Sequence, residues 1–266
     1  HRDLHSFPTR RSSDLPIGFR WQDLLGILLC MVFARSAAMA FNRLADRRLD
    51  ALNPRTEKRH LPTGVLSTGT VAAFTTACAV GFVASTLLFL PGNPLPLYAS
   101  VPVLLFLFAY SLTKRFTALA HFWLGAALML APIAAWVAIR GEVAWPPVVL
   151  GTAVMLWVSG FDIIYACQDF DFDVKMRLHS VPARFGVVWA LRIAASCHAG
   201  MVVLLGILPR VYPGFGWVYH VGLAVIALLL LYEHAIVRPD DLTRVNQAFF
   251  HVNAVVSVGL LVIGSL

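Results

Sequence analysis

Between residues 42 and 59 the chain reads NRLADRRLDALNPRTEKR, which sets an amide and two carboxylates at the end of an apolar run and follows them with cations. If the helix continues through Asp50, then Asn42, Asp46 and Asp50 fall at i, i+4 and i+8 on one face, roughly 6 Å apart per step. A row of hard oxygen donors suits Mg²⁺, which keeps several waters and is held by one or two carboxylates together with substrate phosphates. Arg55, Lys58 and Arg59 would then meet the remaining phosphate charge. The competing reading of this stretch is a juxtamembrane charged loop that only sets orientation in the membrane.

A second stretch, YACQDFDFDVKMRLHSVPARFG at 165–186, repeats the arrangement. An apolar run leads into Asp169 and Asp173 at i and i+4, with Lys175, Arg177 and Arg184 beyond. Asp171 lies about 200° round the helix from Asp169 and reads as a solvated charge. Two acidic helix ends, far apart in sequence and each with cations downstream, imply one shared site. The connection YSLTKRF at 110–116 adds Tyr110 and Lys114 at the same spacing. Lys114 is either a topology anchor or a diphosphate contact. Arg35 and Asp162 sit well inside apolar runs, where each costs about 2.5–3.5 kcal/mol to insert. Each precedes the first candidate ligand of its own stretch by seven positions, Arg35 before Asn42 and Asp162 before Asp169, so both are expected to face the same interior. They form either a buried ion pair or a group that orients a polar acceptor.

The elements that position these residues are membrane spans. Hydrophobic residues make up 59% of the chain, charged residues 13%, and the mean hydropathy is +0.74. Soluble domains carry about 25% charged residues, so this is a polytopic membrane protein in the lipid bilayer. The formal charge of +7 is not a nucleic-acid stripe, because the basic residues border apolar runs. Runs of about 17–25 residues, long enough to cross a bilayer, occur at 22–44, 71–90, 95–111, 118–139, 147–168, 187–208, 216–235 and 247–266. Eight spans are expected. Alternate connections hold 14 Lys and Arg against 2 in the others, which places both acidic stretches on the cytoplasmic side. Cys30, Cys78, Cys167 and Cys197 occur singly, as small core residues and not as a disulfide or zinc framework. Residues 1–15, HRDLHSFPTRRSSDL, break abruptly with this composition and have no signal-peptide core. They resemble adapter read-through and are set apart as non-native, leaving 16–266 as the membrane domain.

On the motifs at 42–56, 110–116 and 165–186, the sequence resembles the UbiA superfamily of intramembrane aromatic prenyltransferases over residues 21–266. It is most similar to the bacterial 4-hydroxybenzoate polyprenyltransferase type and the related enzymes of menaquinone synthesis. The resemblance implies an all-α, nine-helix transmembrane bundle around a cavity open sideways to lipid, in the bacterial inner membrane. Eight spans against nine implies that the first helix is missing. The resemblance also implies that Asn42, Asp46, Asp169 and Asp173 hold Mg²⁺ against a polyprenyl diphosphate, with Asp50 in support. Lys114, Arg43, Arg55 and Arg59 would bind diphosphate oxygens, and Tyr110 and Tyr165 would flank the allylic carbon.

The reaction expected is transfer of the polyprenyl group to a ring carbon of an aromatic acid such as 4-hydroxybenzoate, for ubiquinone or menaquinone biosynthesis. Arg35 or Asp162 would orient that acceptor, and Asp162 or the diphosphate would take the ring proton. Of the histidines, His179 is read as ordering its loop, and His121, His198, His220 and His251 as surface or packed residues. The alternative from another class is a transporter that uses intramembrane Asp and Arg as an ion path, or an inactive truncated homologue.

Overall fold

The computed structural model describes residues 20–265, so the segment 1–15 set apart above lies outside the described residues. The described chain is nearly all helical. Its elements are α1 (Trp21–Leu52), α2 (Thr68–Thr86), α3 (Leu95–Thr113), α4 (Ala120–Arg140), α5 (Trp145–Ala166), α6 (Phe170–Lys175), α7 (Val181–Phe185), α8 (Val187–Val211), α9 (Trp217–Ile236), the single turn α10 (Val245–Gln247) and α11 (Asn253–Ser265).

Among the described residues, seven helices are long and apolar enough to cross a membrane, with α5 and α6 acting as one interrupted span. The expected eighth is a correction. The run at 247–266 is apolar, but a π-helical turn at Ala248–Val252 interrupts it and leaves α11 with 13 residues. At 1.5 Å per residue that is about 20 Å, against roughly 30 Å of hydrocarbon. Hydropathy reads composition and is blind to a break in helical register.

The most extensive packing is α4 on α5, α5 on α8 and α1 on α2. Lipid tails are as apolar as leucine, so large side chains have no reason to hide, and Leu28, Val32, Leu105, Val203 and Leu231 are exposed. Small residues let the backbones approach instead. A Cβ on Gly125 of α4 would lie 2.4 Å from the Met155 carbonyl oxygen of α5, and one on Gly160 of α5 would lie 2.4 Å from the His198 ring of α8. The α5 segment is therefore gripped on both sides, and it carries Asp162 and Tyr165.

Two helix endings matter for the site. The α1 helix runs past its apolar part to Leu52 and stops at Asn53, the residue before Pro54, where a proline disfavours helical backbone. The α5 helix stops at Ala166 and passes through a 3₁₀ turn at Cys167–Asp169 before α6 resumes. Asp169 and Asp173 are thus not on one regular helix, as their i, i+4 spacing had suggested.

Candidate active site

The C-terminal turns of α1 and the loop after it carry the first half of the site. Asp46 and Asp50 are buried, at 4% and 6% exposure, and each faces a cation. Lys114, capping α3, donates to Asp46 Oδ2 at 2.6 Å, and Arg115 stands 3.5 Å from Oδ1. Arg59 donates to Asp50 Oδ1 at 2.7 Å, with Arg43 4.0 Å from Oδ2. The Asn42 amide reaches Ser111 at 3.3 Å and Asp46 at 3.4 Å. The loop folds back on α1 because Thr56 donates to the Asp50 carbonyl and the Arg55 backbone N–H donates to the Asn53 side chain.

That return brings the first acidic stretch onto the second. Asn53 donates to Asp169 Oδ1 at 3.0 Å, and the Arg55 guanidinium forks onto both Asp169 oxygens through Nε and a terminal nitrogen. Its other terminal nitrogen donates to the Tyr165 hydroxyl at 2.7 Å, with the guanidinium carbon 4.8 Å from the Tyr165 ring centre. Burial works against the Arg55 charge, but the hydrogen bond and the charge of Asp169 outweigh it and raise the Arg55 pKa above its ordinary value. The second stretch is tied to α3 as well, since the His179 backbone N–H donates to the Lys114 carbonyl at 2.7 Å.

These groups line one cavity of ≈ 200 Å³. Of the residues singled out in sequence, Asn42, Arg43, Asp46, Asp50, Arg55, Arg59, Tyr110, Lys114, Asp162, Tyr165, Asp169 and Asp173 all lie on its wall. Lys58, Lys175, Arg177 and Arg184 are exposed and do not, and Asp171 is exposed as its helical phase predicted.

Arg35 is the correction. It is exposed on α1, is not on the cavity wall, and is not the partner of Asp162. A seven-residue step predicts which face of a helix a side chain occupies, but not what stands opposite that face. The partner of Asp162 is instead His121, which sequence reasoning had assigned to surface or packing. No spacing connects His121 to its partner 41 positions away. Asn53 was also overlooked, although its signal was present: it follows Asp50 by three residues and so continues the polar face of α1.

Among the described residues, no three His, Cys, Asp or Glu side chains converge as a metal site by themselves. The donor set fits Mg²⁺ in another way. Asp46 Oδ1 is buried without a hydrogen-bond partner, an oxygen that a hard cation could use. Mg²⁺ characteristically takes only one or two protein carboxylates, the rest of its shell being water and phosphate.

The model of the UbiA prenyltransferase family matches residues 15–255. A 4-hydroxybenzoate octaprenyltransferase of Methylobacillus flagellatus is 32% identical over 247 residues, covering 91% of this chain and 82% of the relative. One of Nitrosospira multiformis is 34% identical over 233 residues, covering 86% and 78%. Among solved structures, a UbiA homolog from Aeropyrum pernix K1 superposes with TM-score 0.81 at 31% identity, covering 92% of this chain and 90% of that one. A UbiA homolog from Archaeoglobus fulgidus bound to DMAPP and Mg²⁺ superposes with TM-score 0.62 at 21% identity, covering 93% and 89%, a likeness of fold.

Proposed function

Given that the chain belongs to the UbiA prenyltransferase family and is a prenyltransferase, we propose that it transfers a polyprenyl group from polyprenyl diphosphate to a ring carbon of an aromatic acid such as 4-hydroxybenzoate, in quinone biosynthesis. The supporting observation is the convergence of Asp46, Asp50, Asp169 and Asp173 with Lys114, Arg55 and Arg59 on a single cavity at the ends of membrane helices. Family membership sets the transporter alternative aside. The Lys and Arg bias between connections supports a cytoplasmic face for this cavity in the bacterial inner membrane. A relative of known structure binds DMAPP with Mg²⁺, which supports the same metal here.

Asn42, Asp46, Asp169 and Asp173 would hold the metal, with Asp50 in support. Bound Mg²⁺ supplies Lewis-acid neutralisation of the charge that develops on the leaving diphosphate. The chain's own cations share that work. Lys114, Arg55, Arg59 and Arg43 already stand on the cavity wall and present N–H donors to phosphate oxygens. As the C–O bond to diphosphate breaks, its electron pair leaves with the diphosphate. The rings of Tyr110 and Tyr165 offer π-faces to the allylic cation. The electron-rich acceptor ring forms the new C–C bond, and Asp162, on the same wall, takes the displaced ring proton and restores aromaticity.

The test uses membranes containing the chain, a polyprenyl diphosphate and labelled 4-hydroxybenzoate, with and without Mg²⁺. Prenylated product is expected only with Mg²⁺ and is lost in Asp46→Ala. Product that forms without divalent metal, or that survives the substitution, overturns the reading.

A further inference from the structure

His121 is 5% exposed at the start of α4, and both of its ring nitrogens are committed. Nε2 lies 3.2 Å from the Val181 backbone nitrogen, and Nδ1 lies 2.7 Å from Asp162 Oδ2. A backbone N–H can only donate, so Nε2 must carry the lone pair. In a neutral imidazole the proton then sits on Nδ1 and is donated to Asp162. The two contacts together select one tautomer and one ring orientation. The Ser159 hydroxyl donates to the Met155 carbonyl of its own helix at 2.7 Å and stands 3.3 Å from the His121 carbonyl oxygen, where α4 meets α5.

Of the two groups that His121 joins, Asp162 lies on the cavity wall and Val181 directly follows the wall residue Ser180. Asp162 is on α5, and with Oδ2 occupied its Oδ1 is the oxygen left for substrate. Val181 opens α7, and the preceding Ser180 lines the cavity, as does Asp173. One buried side chain therefore ties the Asp162 carboxylate on α5 to the start of α7, next to Ser180 on the cavity wall.

We infer that His121 is a positioning residue: its Nδ1–H holds the Asp162 carboxylate in the orientation that receives the acceptor's ring proton, while its Nε2 anchors the Val181 loop. The inference rests on the proposed transfer and on Asp162 as its base. The proton that leaves the ring carbon goes to Asp162, and His121 keeps its own proton throughout. His121 itself lies on the cavity wall, but with both ring nitrogens engaged it acts on the reaction through Asp162.

The experiment compares wild type, His121→Leu, His121→Asn, Asp162→Asn and the double variant His121→Leu/Asp162→Asn, each as the full chain in lipid nanodiscs. It records kcat, the KM of each substrate and the thermal midpoint. Asp162→Asn lowers kcat by about 10²-fold or more, the usual size of a lost general base. His121→Leu lowers kcat by a similar factor while the KM for polyprenyl diphosphate moves less than about threefold. The double variant is no slower than the slower single variant, because the two residues act as a unit. His121→Asn keeps an N–H near the place of Nδ1 and recovers most of kcat, although it loses the acceptor for Val181.

Three results would each overturn the inference: an unchanged kcat in His121→Leu, losses that multiply in the double variant, or a His121→Asn enzyme that is folded yet as slow as His121→Leu. If His121→Leu does not fold, the comparison of His121→Asn with Asp162→Asn decides the question: a folded His121→Asn enzyme as slow as Asp162→Asn overturns the inference, and one close to wild type supports it. Asp46→Ala in the same assay separates the two levels. If wild type gives no Mg²⁺-dependent product sensitive to Asp46→Ala, the functional reading fails and takes this inference with it. If that control behaves as expected and the His121 variants do not, the inference alone falls.

Discussion

Gly125 is remote from substrate, yet its replacement by alanine should damage the reaction. The residue lies one turn beyond His121 on α4, where that helix crosses α5 most closely. An alanine Cβ would stand 2.4 Å from the Met155 carbonyl oxygen and 2.4 Å from the Ser159 hydroxyl. The carbonyl is helix backbone and cannot rotate out of the way. Restoring ordinary contact requires α4 and α5 to part by about 1 Å, and overpacking of this kind costs about 1–3 kcal/mol. For a chain of this size that lowers the thermal midpoint by about 2–4 °C per kcal/mol. The same separation acts on the 2.7 Å bond from His121 to Asp162, which also joins α4 to α5. Misplacing a reacting group by about 1 Å can cost 10²-fold in rate. The assay is thermal unfolding in nanodiscs alongside turnover at saturating substrates. Gly206→Ala is the control: it sits inside α8 with nothing within 4 Å of the added carbon, so alanine there should leave turnover unchanged and leave stability equal or slightly higher. If Gly125→Ala keeps both the wild-type midpoint and the wild-type rate, the close approach of α4 and α5 does not set the site, and packing at this crossing is uncoupled from the chemistry.

Two further substitutions probe the cations. Arg55→Lys keeps the charge but not the fork that reaches Asp169 and Tyr165 together, so the KM for polyprenyl diphosphate should rise about tenfold or more, measured by initial rates across donor concentration. Lys114→Met removes the 2.6 Å partner of Asp46 and leaves that buried carboxylate without its nearest counter-charge. Mn²⁺, titrated as a paramagnetic substitute for Mg²⁺ without any donor lipid, should then bind more tightly than to wild type by electron paramagnetic resonance, even as turnover falls; weaker or unchanged Mn²⁺ binding would count against Asp46 as a ligand.

The sequence displays the polar wall of α1 openly, because a helix turns residues four apart onto one face and the row of one amide and two acids at 42, 46 and 50 obeys that period. Asn53 belongs to the same face and was readable by the same rule, but an asparagine before a proline looks like a stop signal first. The pairing of the two acidic stretches was legible from their likeness to each other; the contact that joins them was not, since Arg55 reaches Asp169 across 114 positions of chain. His121 and Arg35 fail in opposite directions. Arg35 has the expected spacing yet is exposed and off the cavity wall, whereas His121 has no spacing relation to Asp162 and is held on both sides. Periodicity constrains one helix at a time, and both errors arise where two helices had to be known together.

The ion pairs explain why so charged a site can persist at the ends of apolar helices. A buried carboxylate without a partner would cost several kcal/mol, and a row of them would repel one another. Here Asp46 has Lys114, Asp50 has Arg59 and Asp169 has Arg55, so the fold carries its own counter-charge for three of its four motif carboxylates. The same arrangement makes the cations available to a phosphate. On the proposed function, an incoming diphosphate would compete for N–H donors on the cavity wall, and each cation it drew off would free a carboxylate oxygen for a divalent ion. Donor and metal binding would then be coupled through the ion pairs themselves.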